Sequence, residues 1–333
     1  MRINRLLGTL IFVVSILLAW GWMEYEGFID KRLVIPEEGV NYVLQPGMTV
    51  RSLAADLQQR GMLEKPLLLR FLARWQGQAS KLKAGEYFLP ADTTPPKLLE
   101  ILSSSQVVQY ALTVIEGWTF EQMMAAVRSD PILEPTMEGI ANDQVMQHLG
   151  FGDQHPEGLF YPDTYHFPRG TTDAAFLKRA YKRMESVLEQ AWRQRQKELP
   201  LKSPYEALIL ASIIERETGL PEERGKIAGV FTRRLERGML LQTDPTVIYG
   251  MGERFDGNIR KRDLTRDTPY NTYLRKGLTP TPIAMPSGAA IQAALHPEDG
   301  KTLYFVATGD GGHHFSSTLE EHNKAVRKYQ LKR

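Results

Sequence analysis

Residues 203–219 read Ser203-Pro204-Tyr205-Glu206-Ala207-Leu208-Ile209-Leu210-Ala211-Ser212-Ile213-Ile214-Glu215-Arg216-Glu217-Thr218-Gly219. Serine at the N-cap, proline at the first helical position and glutamate at the third frame the start of a helix, and Gly219 is read as its stop. From Ala207 to Ile214 the segment is apolar almost all round, which predicts a helix buried inside a core. At about 100° per residue, with Leu208 at zero, the large aliphatics Ile209, Ile213, Leu210 and Ile214 fall between about 100° and 240°. Glu217 falls at about 180° and continues that face, whereas Glu215 lies beside Leu208, Ala211 and Ser212. A carboxyl emerging from an apolar stripe loses hydration when charged, so its pKa rises toward the range in which it donates a proton near neutrality. The alternative is a solvated helix end with both glutamates paired to Arg216 and neighbouring bases.

The surrounding composition limits the chemistry. Lysine and arginine total 41 against 39 acids, a formal net charge of +2 in 333 residues. No basic block tracks a phosphate backbone, and nucleic acid is not an expected partner. Cysteine is absent, which removes disulfides, thiolate nucleophiles and cysteine metal sites together. His313 and His314 are adjacent and point to opposite sides of a strand, and His296 and His322 lack spaced partners. No metal and no cofactor is expected. Nucleophile elbows, phosphate loops and dinucleotide fingerprints are missing from the sequence, and Ser212, inside a buried helix, is a poor nucleophile.

Leu6 to Met23 is an uncharged apolar run of about 18 residues, close to the minimum that spans a bilayer. Arg2 and Arg5 precede it and Glu24 and Glu26 follow, so residues 1–5 are read as a cytoplasmic tail and the body as external. A cleaved signal peptide is the rival, with Ala19-Trp20-Gly21 as small-residue spacing, but the apolar run exceeds the usual h-region. Residues 24–38 read as a linker.

A repeated design follows. Val43 to Val50 and Val114 to Phe120 each place a short strand and a turn glycine before a capping threonine and an amphipathic helix. Between them lie a helix from Pro66 to Trp75, a strand from Ala84 to Leu89 and a helix from Pro95 to Leu102. Residues 39–110 thus form a small α+β module, residues 111–156 a connecting α+β segment, and residues 157–333 a mostly helical α+β domain with a short sheet. Within the last, a long helix is expected from Thr172 to Glu198, a shorter one from Glu222 to Arg237, and a strand pair around Leu303–Ala307 and His314–Ser316. The aromatic stretch from Glu157 to Tyr165, and the segments Leu240–Gly250 and Tyr270–Ile283, read as loops. They supply the amides, hydroxyls and rings that bind sugars, although turns favour the same residues.

These residues resemble the endolytic murein transglycosylases, the YceG-like proteins. The resemblance rests on Lys83 to Tyr87, Val114 to Gly117, Gly158 to Tyr165, Ala211 to Thr218, Leu241 to Gly250 and Tyr270 to Tyr273, in one order along the chain. It implies a single-pass inner-membrane protein with its catalytic domain in the periplasm, and a LysM-like identity for residues 39–110. It also implies that Glu217, the second acid of the Glu-x-Glu pair, is catalytic. The implied reaction cuts the β-1,4 bond between N-acetylmuramic acid and N-acetylglucosamine of nascent peptidoglycan strands, leaves a 1,6-anhydro end and terminates elongation, in company with peptidoglycan synthases, the penicillin-binding proteins. Gln242, Thr243, Asp244, Tyr270, Asn271 and Tyr273 are the expected strand-binding residues. Thr279 and Thr281 stand where the family has proline and glycine, and Arg216 replaces a common lysine. A hydrolase pairing Glu217 with Asp244 or Asp163, and a non-catalytic peptidoglycan anchor that recruits synthases, are the competing readings.

Overall fold

The computed structural model describes residues 2–331, with side chains from Leu7 onward; the charges expected at Arg2 and Arg5 fall outside the described side chains. The fold is helix-rich α+β with small two-stranded sheets, and the chain forms two compact units, residues 1–110 with 166–170, and residues 111–165 with 171–333.

The first unit begins with helix α1 (Arg2–Asp30). Its stretch from Leu7 to Asp30 is long and apolar enough to cross a membrane, roughly 36 Å at 1.5 Å per residue, and Leu10, Phe12, Leu17 and Leu18 are all exposed. The helix continues past Met23, where the sequence suggested a linker. Glu24 and Glu26 end the apolar run without breaking the helix, because both are good helix formers, and Phe28 anchors this last turn in a core with Leu33, Leu53, Leu72 and Leu98.

Around that core the chain runs β1 (Val40–Leu44), α2 (Val50–Gln59), α3 (Pro66–Trp75), β2 (Gly85–Leu89) and α4 (Pro95–Ser103). Strands β1 and β2 are antiparallel, with Tyr42 opposite Tyr87. Thr49 caps α2 in a capping box with Ser52, and Val50, Leu53, Ala54 and Leu57 form the buried stripe that their spacing predicts. Residues 166–170 return to this unit, where Arg169 pairs with the buried Glu86 at 2.6 Å.

The chain continues with β3 (Tyr110–Thr113), α5 (Phe120–Ser129), α6 (Val145–Leu149), β4 (Thr164–Phe167), α7 (Asp173–Arg193), α8 (Pro204–Glu217), α9 (Pro221–Glu236), α10 (Asp244–Met251), α11 (Lys261–Leu264), α12 (Gly288–Leu295), β5 (Tyr304–Ala307), β6 (His313–Ser316) and α13 (Leu319–Tyr329), of which all but Tyr110, His166 and Phe167 belong to the second unit. Strands β3 and β4 meet at Thr113 and Thr164, whose hydroxyls lie 2.9 Å apart. Thr119 and Gln122 close the capping box of α5 that their spacing announces. Helix α8 is the centre of the unit: α7, α9, α10 and α12 all pack on it, and every residue from Ala207 to Ile214 is buried.

Local reading and structure part in three further places. Helix α7 stops at Arg193, short of Glu198, and Glu198 itself adopts a left-handed backbone with φ 64°. Thr164 and Tyr165, the end of an expected loop, begin a strand that runs to Phe167. The segment after Leu241 is helical from Asp244, because Thr243-Asp244-Pro245 is a helix start: a capping position, an acid in the first turn and a proline where no amide hydrogen is needed.

Candidate active site

Ser203 begins α8 as its pattern requires, accepting from the Glu206 amide at 3.2 Å. The other end is different from the sequence reading. Gly219 does not supply a left-handed cap; the helix ends because Thr218 turns extended (φ −143°, ψ 137°) while its amide still donates to the Ile214 carbonyl. The Thr218 hydroxyl accepts from the Leu220 amide at 3.0 Å. Glu217 is thereby the last helical residue, delivered from the core to the wall of a groove.

The two glutamates diverge as the helical wheel demands. Glu215 accepts from the Ser287 amide at 2.9 Å and from its hydroxyl, which ties α8 to the start of α12. Ser212 is likewise spent on structure: it donates to Ile209 O and accepts from the Ile283 amide. Glu217 instead faces a groove of about 540 Å³, shared with Arg234, Gln242, Asp244, Tyr273 and His313.

Thr243 donates its hydroxyl to Glu217 Oε2 at 2.7 Å. Glu217 keeps a partial opening to the groove, but its carboxyl is enclosed closely enough that burial pushes it up to about 7. The Thr243 hydrogen bond and the positive potential of His313 and Arg234 oppose that shift, and Asp244 adds to it. Desolvation outweighs three stabilising contacts, so the net direction is toward a carboxyl that holds its proton near neutrality.

Each wall residue is held in turn. Thr243 donates its amide to Thr272 Oγ1, and its carbonyl accepts from the Thr246 hydroxyl. The Tyr273 hydroxyl donates to Asp244 Oδ1 at 2.5 Å, and burial, then that aspartate, push the phenol above its usual range. Gln242 stands in the left-handed region, φ 51°, held by its amide bond to Thr272 O. Arg234, buried, donates to the carbonyls of Leu240, Leu241 and Leu303, and so joins the two segments that border the groove. His313 Nδ1 lies 2.7 Å from Glu223 Oε2, and the His313 amide donates to Glu223 Oε1. Sequence pattern alone points to neither His313 nor Glu223 here, since adjacent histidines suggest at most metal ligands. The alternation along β6 was the available signal, since it turns one of the pair inward.

Of the residues expected to bind a strand, Gln242, Asp244 and Tyr273 line the groove, and Thr243 lies behind Glu217. Tyr270 and Asn271 do not line it. Asn271 is buried and its amide donates to the carbonyls of Leu264 and Arg266, so its polar capacity goes into closing its own loop. Tyr270 bonds to Thr281 at 2.9 Å and faces a different cavity with Tyr249. Asp163, an alternative second acid, is exposed and accepts from the Thr164 amide.

That different cavity, about 930 Å³, holds a second perturbed carboxyl, Glu157. It accepts from the Phe120 amide at 2.9 Å and from the Tyr249 hydroxyl at 3.0 Å, and burial pushes it up to about 7. Its bonds secure the start of α5. The sequence passed over it because a lone glutamate before an aromatic loop carries no periodic signal.

Comparison with known proteins identifies the family. A curated endolytic murein transglycosylase of Bacillus subtilis (strain 168) is 31% identical, over 87% of this chain and 84% of its own length. An endolytic murein transglycosylase of Streptococcus pneumoniae is 26% identical over 94% of this chain, which spans 63% of that longer relative. The crystal structure of a YceG-like protein from Listeria monocytogenes is 29% identical and superposes with a TM-score of 0.54, covering 87% of this chain and 99% of that one. The YceG-like family pattern matches residues 42–328, nearly everything after α1, and the chain therefore belongs to the YceG-like family.

Proposed function

We propose that the protein is an endolytic peptidoglycan lytic transglycosylase whose acid and base are one residue, Glu217. The names of its relatives place it among enzymes of the lytic transglycosylase class. The observation that carries the residue assignment is the Glu217 carboxyl itself, open to a groove, held by Thr243 and raised to about 7 by burial.

The reaction follows from that chemistry. Protonated Glu217 gives its proton to the oxygen joining N-acetylmuramic acid to N-acetylglucosamine, and the bond from the anomeric carbon to that oxygen breaks. The resulting carboxylate takes the proton of the muramyl C6 hydroxyl as that oxygen bonds to the anomeric carbon. A 1,6-anhydro end forms, Glu217 regains its proton and no water is consumed. A second carboxylate is not required, and Asp244 is engaged by Tyr273. Gln242, Asp244 and Tyr273 orient the strand along the groove, with Thr243 fixing the acid and Asn271 fixing the loop behind it. Cutting nascent strands internally in the periplasm ends their elongation, beside the synthases that extend them. Helix α1 anchors the chain in the inner membrane with its N-terminus in the cytoplasm. The first unit is LysM-like, a reading supported by its strand–helix–helix–strand order with β1 antiparallel to β2.

The test is digestion of purified glycan strands by the full chain in detergent, compared with Glu217→Gln, with products identified by mass. Anhydro ends, lighter by one water than hydrolysed ends, and their absence with the variant are expected. Hydrolysed ends from the wild type would overturn the mechanism, and undiminished cutting by the variant would overturn the residue.

A further inference from the structure

Helix α3, Pro-Leu-Leu-Leu-Arg-Phe-Leu-Ala-Arg-Trp, has two apolar faces and only one of them is used. Leu69, Leu72 and Ala73 are buried in the first unit's core. Leu67, Phe71 and Trp75, spaced four residues apart, form a ridge on the outside with exposures of 71%, 53% and 77%. Surface helices of soluble domains place polar residues there, and three large apolar side chains in a row form a contiguous patch of the kind that marks an interface. The helix contains no acid. Arg70 and Arg74 flank the ridge, and Arg51 borders the same shallow depression against α2.

The ridge is continuous with α1. Phe71 stacks on Trp75 with ring centroids 6.0 Å apart and meets Tyr25 edge-on at 5.8 Å. Tyr25 in turn lies 6.0 Å from Trp22. Trp22 and Tyr25 straddle the end of the uncharged apolar run at Met23, the level at which aromatic side chains collect between acyl chains and headgroups. A membrane crossed by α1 therefore has its boundary at the height of Phe71, and the ridge faces it from the first folded residues beyond the span.

We infer that α3 is an interfacial membrane-binding helix, its Leu67–Phe71–Trp75 ridge seated at the acyl–headgroup boundary and Arg51, Arg70 and Arg74 on anionic headgroups. Amphipathic helices rich in arginine beside large apolar residues bind this boundary, and basic side chains next to a membrane span favour anionic lipid. The assignment rests on α1 as the anchor and is independent of Glu217. Its consequence is that the first unit is held against the bilayer at two points, α1 and α3, which fixes its height and restricts its rotation about the anchor.

The absence of cysteine permits single spin labels in the full chain, at Val14, Leu67, Trp75 and the exposed Gln58, reconstituted in phosphatidylcholine vesicles with and without phosphatidylglycerol. Collision with oxygen reports lipid, and collision with an aqueous nickel chelate reports water. Labels at 67 and 75 are expected to share the lipid signature of 14, several-fold shielded from nickel relative to 58, and more so with anionic lipid. An Arg70→Gln/Arg74→Gln pair is expected to remove the dependence on anionic lipid. Labels at 67 and 75 as water-accessible as 58, with 14 in lipid, would overturn the inference while leaving the anchor intact. Shielding from both reagents, as a second copy of the chain would produce, or shielding that appears only with added glycan strands, would overturn it equally.

Discussion

The hydroxyl of Thr243 donates to Glu217 Oε2 across 2.7 Å, joining the last residue of α8 to the capping position of α10. The bond favours the charged form of the acid, so a Thr243→Val variant, similar in volume and buried at the same place, leaves Glu217 a still weaker acid. The basic limb of the rate profile is expected to move to higher pH. Loss of orientation is expected to lower turnover by about tenfold, the scale of one hydrogen bond to a charged group. Rates of anhydro-muropeptide release from glycan strands between pH 5 and 9 check both effects.

For the wild type the sign of the pH dependence follows from the first proton transfer. Glu217 starts the reaction protonated, and burial raises it to about 7, so cutting is expected to be steady below that value and to fall about tenfold per unit well above it. His313 lowers the proton affinity of Glu217 through its positive potential. A His313→Gln variant is expected to shift the basic limb upward. The same muropeptide assay checks it, and a downward shift would contradict the electrostatic role of His313.

Gln242 presents a different trade. A non-glycine residue at φ 51° costs on the order of 1 kcal/mol, and here the strained residue lies on the groove wall. A Gln242→Gly variant is expected to melt at higher temperature and to bind glycan strands more weakly. Calorimetry and strand co-sedimentation measure the two effects independently. Tighter or unchanged strand binding would remove Gln242 from the binding surface.

Much of this architecture is legible in the residues because local signals and burial agree. The start signal of Ser203, Pro204 and Glu206 and the apolar wheel of Ala207 to Ile214 fix α8, and the threonine caps at Thr49 and Thr119 fix two more helix starts. The direction of Glu217 follows from helical geometry alone. What escaped depends on tertiary contact. Asn271 looked like a ligand for sugar hydroxyls, but its amide closes on Leu264 and Arg266, a bond pattern that composition does not encode. His313 is set beside Glu217 by a hairpin whose partner, Glu223, lies 90 residues earlier in the chain. The helix at Asp244 was hidden because its start was read as a ligand-rich loop, although Thr243-Asp244-Pro245 carries a helix-start signal.

The same raised carboxyl has a consequence for stability. Glu217 binds its proton more tightly folded, at about 7, than at its ordinary value of 4.5. The folded state therefore holds more protons than the unfolded one between those values, and stability falls as pH rises through the window. Glutamine at 217 cannot ionise and removes this loss. A Glu217→Gln variant is expected to match the wild type near pH 4.5 and to exceed it at pH 8 by on the order of 2 kcal/mol, after allowance for the partial opening to the groove. Glu157 is raised to about 7 by burial in its own cavity, so the variant retains part of the slope. Chemical denaturation at a series of pH values reads the difference directly. If the two curves run parallel across the window, Glu217 is an ordinary solvated carboxylate, and a general acid working near neutrality is lost with it.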